Sequence, residues 1–188
     1  MVPVSSGRFV AALSFAVALS SLGAVGCNGN DPIPQEVIDG LPAETGSPSA
    51  LHRPGQPCLS CHSTYGDAAP AFAIAGTVYK ETAMGALAAA PNVKVEIFDS
   101  AGPSRFACTN TAGNFYIEKD KWADLTFPLK VRAGQRSMNS IIGREGSCAA
   151  CHKLPSDDRP GNGAGKDSAG VVLVDDGDTD PICGGGTP

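Results

Sequence analysis

The sequence predicts a mainly β protein: a small antiparallel β-sandwich flanked by two irregular segments, each carrying a Cys-x-x-Cys-His. Three observations point there. The chain has 188 residues, 42% of them apolar, enough for one modest domain. Its 23 Gly and 15 Pro require extensive loops and turns. Between residues 71 and 135, short alternating segments are separated by Gly, Asn and Pro, the pattern of a sandwich built from hairpins.

In chain order, residues 1–26 form a leader. Arg8 supplies a minimal positive region, and "FVAALSFAVALSSLGAV" (9–25) is an apolar run ending in small residues. The closing "AVGC" resembles a bacterial lipoprotein lipobox, which implies that Cys27 becomes the lipidated mature N-terminus. A plain secretory signal cut nearby is the alternative. Asn28 after the cysteine implies an outer-membrane lipoprotein, exported to the periplasm or cell surface. Residues 27–50, rich in Pro, Gly and acidic side chains, read as a flexible tether.

Residues 51–70 hold the first Cys-x-x-Cys-His. The sandwich follows over 71–135. Its strand candidates are 71–80, 92–99 (Val93, Val95 and Ile97 on one face, Lys94 and Glu96 on the other), 104–110, 115–119 and 127–133. The alanine-rich "ETAMGALAAAP" (81–91) fits a helical turn or a loop joining two strands. On "AGTVY" (75–79), "VKVEIFD" (93–99), "NTAGNFYI" (110–117) and the "PLKV" strand, this stretch resembles the carboxypeptidase regulatory-like, transthyretin-like β-sandwich family. The likeness implies a scaffold and no reaction.

Residues 136–155 hold the second Cys-x-x-Cys-His, and 156–188 a Gly- and Asp-rich tail in which "VVLV" (171–174) is a candidate final strand. "GNGAGKDS" fails as a phosphate loop, because Pro160 occupies the first glycine position and Asp167 follows the lysine. The acidic run 175–180 lacks EF-hand spacing and reads as solvated. A net charge of −5 without a basic block argues against nucleic acid.

The chemistry lies in "CLSCH" (58–62) and "CAACH" (148–152). Cysteines three apart can present both sulfurs on one side of a turn, toward the two vinyl groups on one porphyrin edge, and the following histidine can reach the iron. That order is the signature of covalent c-type haem. Cys58, Cys61, Cys148 and Cys151 are the attachment residues, and His62 and His152 the proximal ligands of two haems c. A Cys₄ zinc site or disulfides within or between the pairs are the alternatives, and neither explains the histidines. A low-spin carrier needs a sixth ligand, commonly His or Met. His52 and Met138, each upstream of a motif, are the candidate distal ligands, with Met84 a weaker one. Seven cysteines, less four for haem and one for lipid, leave Cys108 and Cys183. In an oxidising compartment these invite a disulfide, unless they do not meet.

Cys58, Cys61, His62, Cys148, Cys151 and His152, with His52 as a weaker match, resemble multihaem c-type cytochromes. The resemblance implies a membrane-tethered dihaem electron carrier and no enzyme, with redox proteins of the cell envelope as partners. A haem enzyme or small-ligand binder with an open iron position, and a zinc- or disulfide-stabilised binding module, stay open. So does the oligomeric state.

Overall fold

The computed structural model describes residues 38–44, 47–64, 66, 68–154 and 168–184. The leader, Cys27, the first part of the tether and the glycine-rich 155–167 lie outside the described residues. Two four-stranded sheets share one core. The first is organised on β1 (Phe72–Glu81). β5 (Asn114–Glu118) pairs antiparallel with its first half. β2 (Leu87–Ala89), antiparallel, and β8 (Val172–Val174), parallel, pair with its second half. The second sheet runs β4 (Ser104–Cys108), β3 (Lys94–Phe98), β6 (Lys130–Ala133), β7 (Arg136–Ser137), all antiparallel.

The side-chain pattern explains the layers. Val93, Val95 and Ile97 are buried against Ile74, Val78, Phe115 and Ile117 of the other sheet, as a period-2 strand with one wet face requires. Lys94 and Glu96 point outward, where Glu96 accepts from Arg132 and pairs with Lys94. β1 differs. Ile74 to Tyr79 are all buried, because this strand is covered on both faces. Between β4 and β5, Asn110 Oδ1 accepts from the amides of Ala112 and Asn114. Gly113 (φ +77°) makes the left-handed step there, where a Cβ would lie 2.3 Å from the Val78 carbonyl.

Several expectations change. The alanine-rich stretch is neither a helical turn nor a plain loop. It forms the β1–β2 hairpin, closed by Thr82 N–H to Ala86 O and by Gly85 at φ +76°. The sandwich does not end at residue 135: Arg136–Ser137 joins it, and the candidate final strand forms as Val172–Val174, paired parallel with β1 in otherwise antiparallel sheets. The acidic run is exposed at Asp175 and Asp176, as a solvated run should be, and its carboxylates are also paired. Asp175 pairs with Arg136, Asp176 with Lys80, and the Asp178 carboxylate accepts the Asp175 amide. Carboxylates lie opposite cations displayed by two strands, which composition alone does not reveal. The end of the stretch read as tether is exposed but hydrogen-bonded to the domain, with the Pro42 and Ala50 carbonyls accepting from Arg53 and Asn110.

Cys108 at the end of β4 is bonded to Cys183, tying the tail to the second sheet across 75 residues of sequence. Among the described residues no helix is long and apolar enough to cross a membrane.

Replacing Cys108 and Cys183 together by serine is expected to lower the unfolding free energy. The chain-entropy relation gives about 4 kcal/mol for a loop this long. Urea midpoints of the wild-type and double-serine chains, with and without reductant, check it: reductant should affect only the wild type.

Candidate functional site

The two Cys-x-x-Cys-His motifs fold into the same turn. Cys58–Ser60 and Cys148–Ala150 are single 3₁₀ turns. In the first, the amides of Cys61 and His62 donate to Cys58 O at 3.2 and 2.9 Å. In the second, Cys151 and His152 donate to Cys148 O at 3.2 and 2.8 Å. Even the exits match: Cys61 O accepts from Ala68 N–H, and Cys151 O from Ala169 N–H.

Each histidine is oriented the same way. His62 Nδ1 donates to the Pro70 carbonyl at 2.8 Å, and His152 Nδ1 to the Gly170 carbonyl at 2.6 Å. A carbonyl oxygen can only accept, so Nδ1 carries a proton and, in the neutral ring, the lone pair is on Nε2. That is the tautomer of a metal-ligating imidazole with its second hydrogen bond in place. His62 is buried and stacks on Phe72, ring centroids 4.3 Å apart, and Phe72 stacks on Tyr116 at 4.5 Å.

The sandwich brings the two turns together. Phe72 N–H donates to His62 O, and Ala75 N–H to Gly146 O, so both turns are hydrogen-bonded to β1. They also touch each other. A Cβ on Gly146 would lie 2.9 Å from Leu59 Cδ2, and one on Gly55 2.7 Å from Leu154 Cδ1. Gly76 has a similar role: a Cβ there would meet Cys148 Cβ at 2.7 Å and Sγ at 2.9 Å. A glycine inside a strand often marks close backbone approach, and that was the one sequence cue to this contact.

Burial sets the thiol chemistry. The Cys148 thiol is pushed up to about 12, first by burial and then by the neighbouring Cys58 and Glu145. Cys58 is pushed up to about 11, again chiefly by burial. Tyr79, near both Cys58 and Gly55, is raised by burial and by Cys58. All four motif cysteines are free thiols, so the disulfide alternative for them is not formed. Among the described residues no three His, Cys, Asp or Glu side chains assemble a metal-holding cluster.

The surroundings of the two histidines differ. At the first, the His52 ring stands 5.7 Å from the His62 ring, 19° from parallel. Ser49 N–H donates to His52 Nδ1 at 3.3 Å, and Glu44 Oε1 is 3.9 Å from the same nitrogen. At the second, Met138 and His152 line one cavity of about 680 Å³ with Cys148, Cys151, Val172 and Ile142. Ser147 Oγ, in the wall, is buried and has no hydrogen-bond partner. Met84 is 93% exposed at the β1–β2 hairpin, away from both histidines.

A haem group fits these residues unequally. The donors suit it at both turns, and the second cavity lies within the volume range of cofactor sites. The first cleft, lined by His52, His62, Cys58 and Cys61, encloses only about 50 Å³. Occupancy there requires the His52 side to stand farther from His62. Compared with known proteins, the chain matches no family model, no curated protein and no solved structure.

In chain made without an attached group, iodoacetamide at pH 8 is expected to label the exposed Cys151 first and Cys148 last. A thiol held near 12 is only on the order of 10⁻⁴ thiolate at that pH. Gly76→Ala, by pushing the second turn off β1, should speed Cys148 labelling and lower the melting temperature. Peptide mapping over time checks both.

Proposed function

We propose that this chain is a membrane-tethered dihaem c-type cytochrome that relays electrons in the cell envelope. The observation that carries the reading is the duplicated turn: the same local fold twice, each orienting a histidine through Nδ1 on a backbone carbonyl, the two in contact on one strand. Haem bound at these turns supplies the one-electron iron couple.

The residues of the chain bind, orient and differentiate the two sites. Cys58 with Cys61, and Cys148 with Cys151, attach one edge of each group. His62 and His152 offer Nε2 as proximal ligands. His52 is the distal candidate at the first site and Met138 at the second. A thioether in place of a second imidazole raises the potential, so this assignment makes the second site the better electron acceptor. β1 fixes the separation of the two, and apolar walls keep water from much of the second. The lipid anchor at Cys27 and the outer-membrane location rest on the leader sequence, and partner redox proteins of the envelope follow from the function.

The cavity of about 680 Å³ beside His152 favours one second reading, in which Met138 is only wall and the distal position at that site takes a small ligand.

The test is intact mass and spectroscopy of chain matured in a host that attaches haem. Two haems are expected, falling to one in Cys58→Ala/Cys61→Ala and to one in Cys148→Ala/Cys151→Ala. Met138→Ala is expected to convert one haem to high spin. An unchanged spectrum in that variant supports the small-ligand reading, and colourless mature protein without porphyrin mass ends the proposal.

A further inference from the structure

The cavity beside His152 reaches between the two sheets, where Val78, Val95, Phe115 and Val131, all buried, form an apolar wall. Its charged lining is Arg136, Arg144 and Glu145, an excess of cations in a chain whose net charge is −5. Glu145 is engaged, its Oε1 accepting the Ser147 amide at 2.6 Å. Arg136 is paired with Asp175 at 2.7 Å. Arg144 differs. Among the described residues it has no hydrogen-bond or ion-pair partner, whereas Arg105 donates to the Lys121 carbonyl and Arg132 pairs with Glu96. Arg144 both lines the cavity and is exposed, so it stands at the rim. An unpaired guanidinium there suits an occupant with an apolar body and a carboxylate. The fork donates parallel hydrogen bonds to a carboxylate, and a carboxylate against an apolar wall is costly without a cation. Haem has that make-up: an apolar ring with propionate carboxylates on the edge remote from its vinyl groups.

We infer that Arg144 binds a propionate of the haem at the second turn and holds that haem's potential up. The inference rests on the dihaem reading and names a further binding residue for its second site. A cation beside the ring favours the reduced, more negative state, so Arg144 acts in the same direction as a thioether ligand. The first cleft offers no equivalent. Arg53 lines it but is held by Glu44 and the Pro42 carbonyl. Its segment is fastened to the sandwich, with Thr77 Oγ1 accepting the Gly55 amide at 2.8 Å and the Asn114 side-chain amide donating to His52 O at 3.0 Å. Loss of Arg144 therefore acts on one haem of two.

The experiment uses the full chain matured with haem and reads intact mass and a potentiometric titration followed optically. Arg144→Gln removes charge and fork together, and Arg144→Lys keeps the charge. Arg105→Gln removes the same charge beside Trp122, off the cavity lining. Two haems are expected in every variant. Arg144→Gln should lower the reduction equilibrium constant of one haem about tenfold, or about 59 mV for one electron. Arg144→Lys should stay within threefold of wild type, and Arg105→Gln should leave both potentials unchanged. In Cys58→Ala/Cys61→Ala, with the second haem alone, Arg144→Gln should have its full effect, and in Cys148→Ala/Cys151→Ala none. If neither single-haem chain matures, Arg144→Gln against Arg105→Gln in the two-haem chain decides. A decrease under threefold in Arg144→Gln, an equal shift in Arg105→Gln or Arg144→Lys, or a shift in the chain with the first haem alone overturns the assignment and leaves the dihaem reading standing. Protein without haem overturns the dihaem reading itself.

Discussion

The amide of Phe72 donates to His62 and the amide of Ala75 to Gly146, so a few residues of β1 hold the backbone of both cysteine-containing turns. The rest of the structure depends on that strand. It pairs with β5, β2 and β8, its residues from Ile74 to Tyr79 are buried, and its one internal glycine, Gly76, makes room for Cys148. A strand covered on both faces and hydrogen-bonded along its length is among the last parts of a domain to open. Two sites fastened to it inherit that stability and a fixed mutual distance. Turns of 3₁₀ geometry this short have no stability of their own. They keep their shape because the strand beneath them does.

Much of this was legible in the sequence, and the reason is periodicity. Val93, Val95 and Ile97 alternate with Lys94 and Glu96, which gives both β3 and its buried face. The repeated Cys-x-x-Cys-His spacing marks the two segments that fold into matching turns. What stayed hidden depends on distant partners. The alanine-rich stretch after Glu81 has weak preferences, and pairing with β1 decided for strand. The acidic tail resembles any solvated run until Arg136 and Lys80 are seen opposite it. No side-chain pattern could reveal that Pro70 and Gly170 orient the histidines, since each does so with a backbone carbonyl, a group every residue has. Asn114 and Thr77 were readable as strand or turn residues, but their partners lie more than twenty residues upstream.

The two sites are alike in their proximal halves and unlike in their distal halves. Both turns orient their histidines through Nδ1 on a backbone carbonyl, yet His62 stacks with a second imidazole in a narrow cleft while His152 lines a wide cavity shared with Met138. Duplication supplies the attachment chemistry, and the segments that happen to pass over each turn supply the difference. Under the dihaem proposal, two sites of one binding type tuned apart by what covers them would suit a carrier that accepts an electron at one end of a path and releases it at the other.

His62 finds its orienting carbonyl eight residues onward, at Pro70, whereas His152 must wait for Gly170, eighteen residues onward and just before β8. Read from its N-terminus, the chain therefore has every local requirement of its first turn available early. The second turn is finished only after the last strand has slotted beside β1 and Cys183 has found Cys108. The amino-terminal turn thus has its partners nearer in sequence, and a chain truncated shortly after His152 lacks the carbonyl that aims its second imidazole.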